Sequence, residues 1–373
     1  MKTNKLRIST FVGTRPELIR LSEIIKKFDE VFDHRLVHTG QNYSPSLSKI
    51  FFKDLAIRQP DLYLDLVNES VGGFLGQLFK LTEEEFINNR PDALVILGDT
   101  NSALISIIAK RMNIPIYHLE AGNRSFDSNV PEEINRKIID HSSDFNLAYT
   151  ETAKNNLLRE GIHPRNITVI GSPLKEVIEI ALKKVKKSTV LEDLKIKTKE
   201  FFLVSAHRQE NIDSESRLTE LISSLNDISE EFKSPVIVSL HPRLRERIQR
   251  SNATFSSQVK LVEPFNFTDY LKLQISARLV LSDSGSISEE CAILGIKGLT
   301  LRNSMERPEA LDSANINLAG INSKTILQNI RIIEKQEISK TLPIEYQIPD
   351  TSTRVVNYIS STVHQYKFWS GIR

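Results

Sequence analysis

Residues 93–122 read ALVILGDTNSALISIIAKRMNIPIYHLEAG, and this stretch decides the fold of the chain. It begins with the apolar run Ala93–Leu97, continues into a segment of helical period at Ser102–Met112, and ends with a second apolar run, Ile114–His118. A helical segment that connects two short apolar runs within roughly 30 residues is typical of a βαβ unit with parallel strands. The pattern therefore predicts a parallel sheet that is covered by helices.

The same alternation extends over most of the chain. Further strands are predicted at Leu6–Val12, Arg35–His38, Phe145–Ala148, Ile167–Ile170, Phe201–Ser205, Val236–Ser239, Val259–Leu261, Leu279–Ser282 and Gly298–Leu301. Further helices are predicted at Glu17–Phe28, Phe74–Asn88, Glu132–His141, Leu218–Ile228, Thr268–Ile275, Ile287–Leu294 and Lys324–Glu334. Nearly continuous apolar strands that alternate with helices indicate sheets buried on both faces. We therefore expect an α/β fold with two Rossmann-like, doubly wound domains.

A lysine-rich stretch separates the two halves. Residues Lys183–Lys199 read KKVKKSTVLEDLKIKTK, which we interpret as a solvated helix end and a linker with little room for a core. We predict an N-terminal domain at 1–172, a C-terminal domain at 173–355, and a segment at 356–373 that packs back on the N-terminal domain. Ligands of open parallel sheets bind beyond the carboxyl ends of the strands, so a substrate is expected in the cleft between the domains.

The composition excludes several classes of protein. The 373 residues carry 49 Lys and Arg against 47 Asp and Glu, which provides no basic surface of the kind that nucleic-acid-binding proteins carry. The single cysteine, Cys291, excludes an intrachain disulfide and a cysteine-ligated metal cluster, and no histidine pair has HExxH spacing. No apolar run reaches the roughly 20 residues of a membrane span, and no signal peptide is indicated. We expect a cytoplasmic protein with no cofactor and no membrane or nucleic-acid partner.

Carboxylates follow two consecutive strands of the predicted sheet. Asp99 follows Ala93–Leu97, and Glu120 follows the next strand along the chain. Neighbouring strands lie about 4.8 Å apart, so both side chains are expected to face one pocket, where each carboxylate raises the proton affinity of the other. Asp99 alone is better explained as a helix cap, whereas the pair favours acid/base chemistry. Glu132 either pairs with Arg136 on the surface, or the N-terminus of this helix directs Glu132 or Glu133 into the cleft as a third carboxylate.

Cations follow other strands. Arg15 lies in the turn after the first predicted strand, where it can either meet a phosphate or remain solvated. His207 and Arg208 follow Phe201–Ser205, and His241 follows the next strand. An isolated histidine is usually structural, but these histidines lie beside arginines where an anionic ligand is expected.

A serine-rich turn follows the strand Leu279–Ser282. Ser284, Gly285 and Ser286 precede a predicted helix, and Glu290 lies one turn further on. Hydroxyl and backbone N–H groups at a helix N-terminus can bind a diphosphate, and the glutamate can accept hydrogen bonds from ribose hydroxyls. A helix that is simply capped by serine is an equally good interpretation of this segment alone.

Taken together, these motifs resemble the non-hydrolysing UDP-N-acetylglucosamine 2-epimerase family. In chain order they are GTRPE (Gly13–Glu17), TGQNY (Thr39–Tyr43), LGDTNS (Leu97–Ser102), EAGNRSFD (Glu120–Asp127), PEEINR (Pro131–Arg136), SAHRQEN (Ser205–Asn211), DSGSISEE (Asp283–Glu290) and ERPEAL (Glu306–Leu311). The resemblance extends from about Arg7 to Gly320. It implies a glycosyltransferase-B-like fold, a homodimer, and UDP bound mainly by the second domain.

The resemblance also implies a reaction and a role for each matching residue. Family members invert carbon 2 of a UDP-2-acetamido sugar by anti elimination of UDP, which gives a 2-acetamidoglucal, and by re-addition of UDP. The catalytic positions match Asp99, Glu120, Glu132 and His207. The substrate-binding positions match Arg15, Arg20, Arg136, Arg208, His241, Tyr270, Ser284, Gly285, Ser286, Glu290 and Arg307. Among these, Glu290 is implied to bind ribose and Tyr270 to stack on uracil, where the family usually has phenylalanine.

Three departures from the family pattern bear on the substrate. Arg20 stands where the family commonly has lysine, Ser286 replaces the second glycine of DSGG, and NRSFD (123–127) replaces LRTGD. NRSFD and the HTGQNY…FFKDL segment (His38–Leu55) resemble a branch in capsule and O-antigen synthesis. That branch interconverts UDP-N-acetyl-L-talosamine-type sugars, which are 6-deoxy, and UDP-N-acetyl-L-fucosamine.

Several alternatives stay open at this stage. The parent pair, UDP-N-acetylglucosamine and UDP-N-acetylmannosamine, is an alternative substrate. A UDP-sugar-dependent glycosyltransferase shares the implied fold, and a hydrolysing 2-epimerase would share the substrate. Gln41, Arg208 and His241 lie near positions of a regulatory subsite in some family members.

Overall fold

The computed structural model describes residues 5–40, 52–66, 70–251, 253–337 and 342–372. The chain forms two compact units. The N-terminal unit comprises Met1–Val177 and Glu345–Arg373, and the C-terminal unit comprises Ile178–Ile344. Within the described ranges, no helix is both long and apolar enough to cross a membrane.

The N-terminal unit is built on a seven-stranded sheet in the order β3-β2-β1-β4-β5-β6-β7, and every strand pair in it is parallel. The strands are β1 (Arg7–Val12), β2 (Asp33–His38), β3 (Leu62–Tyr63), β4 (Ala93–Leu97), β5 (Ile116–Leu119), β6 (Phe145–Ala148) and β7 (Ile167–Val169). The helices of this half are α1 (Arg15–Val31), α2 (Val71–Asn88), α3 (Ser106–Arg111), α4 (Pro131–Ser142) and α5 (Glu151–Arg159), and α6 (Leu174–Val185) crosses the boundary into the C-terminal unit. Both faces of the sheet are buried, since β4 and β5 have no exposed residue.

The strand order reverses direction between β1 and β4. The connections that leave these two strands therefore diverge, which opens a crevice at their carboxyl ends. The loops on the two sides of this crevice are Gly13–Glu17 and Gly98–Ser102. This end of the sheet carries the first group of sequence-predicted site residues.

The C-terminal unit repeats the arrangement with a six-stranded parallel sheet in the order β10-β9-β8-β11-β12-β13. Its strands are β8 (Phe202–Ser205), β9 (Val236–Ser239), β10 (Val259–Val262), β11 (Leu279–Ser282), β12 (Gly298–Thr300) and β13 (Ile316–Leu318). Its helices are α7 (Val190–Asp193), α8 (Gln209–Ile212), α9 (Glu215–Phe232), α10 (Pro242–Gln249), α11 (Phe267–Ser276), α12 (Ile287–Leu294), α13 (Glu309–Asp312) and α14 (Ser323–Lys335). The order reverses between β8 and β11, so the crevice of this unit lies beside His207 and Asp283.

The chain returns to the N-terminal unit through α15 (Thr351–Thr362) and α16 (Tyr366–Trp369). Helix α15 packs on α1, and the Tyr117 hydroxyl in β5 lies 2.7 Å from the Thr362 hydroxyl. The sequence placed the domain bounds at 172 and 355, whereas the compact units change after Val177 and after Ile344. The difference arises because α15 has one buried face along its full length, from Thr351 to Thr362, and this face packs within the N-terminal unit.

The lysine-rich stretch is not a solvated linker as interpreted from the sequence. Val190, Leu191 and Ile196 within it are buried in the core of the C-terminal unit. The lysines of this stretch are exposed. Because they dominate its composition, the sequence pattern did not indicate that three aliphatic residues among them belong to the core. The short strands β3 and β13 were also missed, because edge strands of two or three residues leave no apolar run to detect.

Candidate active site

Asp99 and Glu120 leave adjacent strands at the same edge of the N-terminal sheet. Leu97 of β4 pairs with Leu119 of β5, and each carboxylate follows within two residues. Asp99 Oδ2 accepts a hydrogen bond from Arg136 Nε at 2.8 Å and forms an ion pair with Arg136 Nη2 at 2.7 Å. Asp99 and Glu120 therefore follow the ends of neighbouring strands, as the strand pattern predicted.

Glu120 lies beside a second buried guanidinium. Its Oε2 lies 3.6 Å from Arg20 Nε, and the Arg20 side chain also covers the Tyr149 ring. Glu120 has φ +68°, in the left-handed region that non-glycine residues rarely adopt. Its backbone N–H donates to the Leu147 carbonyl at 3.1 Å, which fixes this conformation. Backbone strain of this kind costs of order 1–3 kcal/mol and occurs frequently at functional sites.

A buried polar network contacts both of the turns that carry Asp99 and Glu120. His118 Nε2 lies 2.9 Å from the Gly98 carbonyl oxygen, and His118 Nδ1 lies 2.9 Å from Asp140 Oδ1 without the alignment of a hydrogen bond. Asp140 Oδ2 accepts from the Gly122 N–H at 3.2 Å and lies 2.7 Å from Arg124 Nη1. Because Gly98 precedes Asp99 and Gly122 follows Glu120 by two residues, one network fixes the two turns together.

Glu133, rather than Glu132, is the buried carboxylate of helix α4. Glu133 Oε2 accepts from Ser125 N–H at 2.9 Å and from Arg136 Nη1 at 2.9 Å. Burial raises the pKa of Glu133, but these hydrogen bonds and the Arg136 charge outweigh it, so the pKa lies below its ordinary value. Glu132 is half-buried in the first turn of the helix. Arg136 therefore bridges Asp99 and Glu133.

Glu17 is a buried carboxylate at the crevice that the sequence analysis did not single out. It accepts hydrogen bonds from the Gly13 and Thr14 N–H groups and from the Thr100 hydroxyl, the last at 2.6 Å. It thereby ties the turn after β1 to the turn that carries Asp99. Burial raises the pKa of Glu17 to about 7 against the effect of these hydrogen bonds, and the Asp99 charge contributes in the same direction as burial.

This raised pKa predicts a pH-dependent stability. The folded state holds the Glu17 proton more tightly than the unfolded chain, so this contribution is full below pH 4.5 and is lost as pH rises toward 7. We expect the free energy of unfolding of the wild type to fall by roughly 3 kcal/mol relative to Glu17→Gln between pH 4.5 and pH 8. Urea denaturation of both proteins across this range measures the difference. Parallel pH profiles would contradict the assignment.

In the C-terminal unit, Asp283 is the centre of the polar cluster at the strand ends. Its carboxylate accepts hydrogen bonds from the backbone N–H groups of His207 and Arg208, each at 2.9 Å, and from Asn211 Nδ2 at 3.1 Å. The His207 ring nitrogen Nδ1 lies 3.2 Å from Asp283 Oδ1. Burial raises the pKa of Asp283, but the His207 charge and the hydrogen bonds outweigh it and lower the pKa to about 2.

His207 also contacts the second predicted histidine. Its ring stacks on that of His241, with the centroids 5.1 Å apart, at the ends of the adjacent strands β8 and β9. The Arg208 Nε–H donates to the Asp283 carbonyl at 2.9 Å. The two histidines and Arg208 thus lie together at one edge of the C-terminal crevice, where the positions after the strands predicted them.

The serine-rich turn packs closely against the ERPEAL segment. Ser284 Oγ and Ser286 Oγ lie 2.9 Å apart, and Arg307 Nη1 donates to the Gly285 carbonyl at 2.9 Å. A Cβ at Gly285 would lie 2.4 Å from Glu306 Oε1 and 2.8 Å from Arg307 Nη1, so a larger residue would require these two buried side chains to move. Arg307 therefore supports the turn and is itself almost fully buried.

Helices α11 and α12 place the remaining predicted residues. Tyr270 lies on α11, partly buried against the core, and Glu290 lies in the first half of α12. Gln274, which the sequence analysis did not identify, donates from Nε2 to Glu290 Oε2 at 2.5 Å. This contact brings together two helices that the sequence pattern could only treat separately.

Two of the predicted positions remain to be located. Arg15 is exposed at the start of α1, in the segment that borders the N-terminal crevice, and Gln41 and most of the HTGQNY…FFKDL segment lie outside the described residues. In the described part of the chain, no group of His, Cys, Asp or Glu side chains is arranged to hold a metal ion. Glu17 had a detectable signal, since Thr14 and Glu17 form the S/T-x-x-E pattern of a capping box.

Two parallel α/β units, each with a polar cluster beyond the carboxyl ends of its strands, define an enzyme of the glycosyltransferase-B-like fold. The chain belongs to the UDP-N-acetylglucosamine 2-epimerase family, whose model matches residues 26–360. The predicted fold class and the predicted isomerase class are thereby confirmed.

Two relatives and one solved structure illustrate the similarity. The UDP-N-acetylglucosamine 2-epimerase of Methanocaldococcus jannaschii is 36% identical, over 88% of this chain and 92% of that protein. The UDP-2,3-diacetamido-2,3-dideoxy-D-glucuronate 2-epimerase of Pseudomonas aeruginosa is 31% identical, over 95% and 99%. The crystal structure of the M. jannaschii UDP-GlcNAc 2-epimerase in complex with UDP-GlcNAc and UDP has a TM-score of 0.89 at 34% identity, covering 95% of this chain and all of the other.

Proposed function

We propose that the chain inverts carbon 2 of a UDP-2-acetamido sugar by elimination and re-addition of UDP. The observation that carries the proposal is the pair of carboxylates, Asp99 and Glu120, on adjacent strand ends, each beside a buried guanidinium. Inversion at a carbon requires a proton to leave from one face and to return on the other. Two carboxylates held at separate positions of one site are suited to that task.

In the elimination step, one of these carboxylates takes the proton from carbon 2 while UDP leaves from carbon 1. The carbon–hydrogen electrons form the double bond of a 2-acetamidoglucal, and the carbon–oxygen electrons leave with the diphosphate. His207, Ser284 and the backbone N–H groups of the turn are assigned to the departing charge. In the return step, the second carboxylate protonates carbon 2 on the opposite face, and UDP re-adds to carbon 1. Glu132 is assigned as a third carboxylate for this chemistry.

The first candidate substrate pair is UDP-N-acetylglucosamine and UDP-N-acetylmannosamine, which is supported by the names of the relatives and by the ligands of the M. jannaschii structure. Phe126 favours the 6-deoxy pair, UDP-N-acetyl-L-talosamine-type and UDP-N-acetyl-L-fucosamine sugars, as a second candidate. This residue is 77% exposed and has φ +54°. It follows Ser125, whose backbone N–H donates a hydrogen bond to Glu133 Oε2. A bulky residue held in that conformation with its ring in solvent suits contact with an apolar methyl group.

The product is proposed to enter cell-surface polysaccharide synthesis in the cytoplasm, with the enzyme acting as a homodimer. The resemblance of NRSFD to the capsule and O-antigen branch supports the pathway, and the resemblance to the family supports the dimer. Light scattering at several protein concentrations tests the oligomeric state.

The decisive experiment is NMR of a panel of UDP-sugars with the enzyme alone in deuterated water. We expect the substrate to convert to its carbon-2 epimer with deuterium at carbon 2 of both epimers. Transfer of the sugar that occurs only after an acceptor is added would identify a glycosyltransferase. Free sugar plus UDP as the sole products would identify a hydrolysing 2-epimerase. The member of the panel with the highest kcat/KM decides between the two substrate pairs.

The nucleotide assignment predicts selective losses of UDP affinity. Ser284→Ala should weaken UDP by roughly 1–3 kcal/mol, because a buried hydrogen-bonding partner of the diphosphate is removed. Tyr270→Ala should weaken UDP through the loss of the stacked ring, whereas Tyr270→Phe retains the ring and should bind UDP like the wild type. Isothermal titration calorimetry measures each dissociation constant. Wild-type affinity in both alanine variants would exclude the C-terminal unit as the UDP-binding unit.

A further inference from the structure

We infer that Gln274 is a positioning residue that orients the Glu290 carboxylate toward the ribose hydroxyls of the nucleotide, an inference that rests on the proposed function. Gln274 Nε2 lies 2.5 Å from Glu290 Oε2, and the two side chains belong to different helices, α11 and α12. Gln274 is 1% exposed and Glu290 is 9% exposed. Because the glutamine is enclosed by the core, its amide has little freedom to move, and the carboxylate oxygen that it binds is held in place.

The chemistry of the pair fixes the direction of this hydrogen bond. An ionised carboxylate can only accept, so the amide must present its NH₂ group to Glu290 and turn its oxygen away. In the described part of the chain, Gln274 Oε1 is buried with no hydrogen-bond partner. The orientation that satisfies Glu290 therefore leaves the other half of the glutamine amide unsatisfied.

This cost indicates that Gln274 does not serve stability alone. A buried polar atom without a partner destabilises the folded state, and an apolar side chain of similar volume avoids that penalty. The neighbouring Leu273 is such a side chain, fully buried in the same core. What glutamine contributes at position 274, and what methionine or leucine lack, is a donor for the Glu290 carboxylate.

Helix geometry connects this contact to the rest of the nucleotide site. Gln274 follows Tyr270 by four residues on α11, so the two side chains lie on the same face of the helix. The residue assigned to uracil and the residue that holds the ribose-binding carboxylate are thus carried by one rigid element. Recognition of the base and recognition of the sugar are coupled through α11.

Calorimetric titrations with UDP and with 2′,3′-dideoxy-UDP separate positioning from packing. For Gln274→Met we expect the affinity for UDP to fall roughly 5- to 10-fold, the range of one hydrogen bond. The affinity for dideoxy-UDP, which lacks both ribose hydroxyls, should remain within about twofold of the wild type. The urea midpoint should change little, because removal of the unsatisfied amide oxygen offsets the loss of the hydrogen bond to Glu290. Gln274→Leu provides a second variant, and Leu273→Met is the matched packing control that should change neither affinity.

Glu290→Gln makes failure of the inference distinguishable from failure of the proposed function. If Glu290→Gln still prefers UDP over dideoxy-UDP as the wild type does, the ribose role of Glu290 is wrong. If Glu290→Gln loses that preference and Gln274→Met and Gln274→Leu keep it, only the role of Gln274 is overturned. Equal losses for both nucleotides together with a lower urea midpoint would also overturn it in favour of a structural role. Support requires that Gln274→Met adds no further loss to Glu290→Gln, as expected for residues that act through one contact.

Discussion

Asp99→Asn is expected to lower the rate of epimerisation by roughly 100- to 10,000-fold, the typical loss when a positioned acid or base is removed. Glu120→Gln is expected to have an effect of similar size. Asparagine retains the shape of the Asp99 side chain and can still accept from Arg136, whose Nε now donates at 2.8 Å, so the fold should be preserved. What is lost is the ability to take or return a proton. Initial rates measured by NMR with a fixed UDP-sugar give the comparison.

The affinity for UDP should change little in either variant, since the nucleotide is assigned to residues of the other unit. Asp92→Asn is the matched control, because Asp92 lies at the opposite end of the strand that carries Asp99. It accepts from the Arg7 N–H at 2.8 Å, away from the crevice. Its turnover should stay within about twofold of the wild type. Near-wild-type epimerisation by Asp99→Asn or by Glu120→Gln would exclude that carboxylate from proton transfer.

The backbone of Glu120 is strained. Its φ of +68° is favourable for glycine and costly for glutamate. The strained conformation persists because the Leu147 carbonyl and the network around His118 and Asp140 hold the turn. The strained backbone therefore lowers the stability of the fold but fixes the orientation of the Glu120 side chain. This arrangement is expected for a group that must contact a reacting atom.

The fold could be predicted because it depends on patterns of apolar and polar residues that are local in the sequence. Apolar strands that alternate with helical periods were sufficient to find both sheets, and the rule that ligands bind at the carboxyl ends of strands led to Asp99, Glu120 and His207. The exceptions have a physical reason. The core residues Val190, Leu191 and Ile196 lie among lysines, and only the folded chain shows that the lysines are exposed and the aliphatic side chains are buried.

The supporting residues of the site were less predictable than the residues that they support. Glu17 and Asp283 bind backbone N–H groups of other turns, and Gln274 binds a side chain from another helix. Such contacts depend on distances between elements that are far apart in sequence, which no local pattern encodes. Asp283 belongs to the DSGSISEE motif, but only the folded structure shows that it accepts hydrogen bonds from the turn that carries His207.

Asp283→Asn is expected to lower the free energy of unfolding by roughly 1.5–3 kcal/mol, the range for a hydrogen bond to a charged group. The carboxylate is fully buried and accepts from two backbone N–H groups and from Asn211. Asparagine would turn an NH₂ group toward one of these donors, which would then lack its acceptor. Urea denaturation at pH 7 measures the loss. Asp213→Asn is the matched control: Asp213 pairs with Arg247 at 3.0 Å and is 39% exposed, and such pairs contribute about 0–1 kcal/mol.

The same carboxylate predicts the acid limit of the fold. The pKa of Asp283 is lowered from 3.8 to about 2, so its stabilising contribution is present above pH 3.8 and is lost as pH falls toward 2. The difference in the free energy of unfolding between the wild type and Asp283→Asn should therefore shrink as pH falls from 4 to 2. The difference for Asp213→Asn should stay small over the same range. A wild-type advantage that instead grows between pH 4 and pH 2 would contradict the lowered pKa of Asp283.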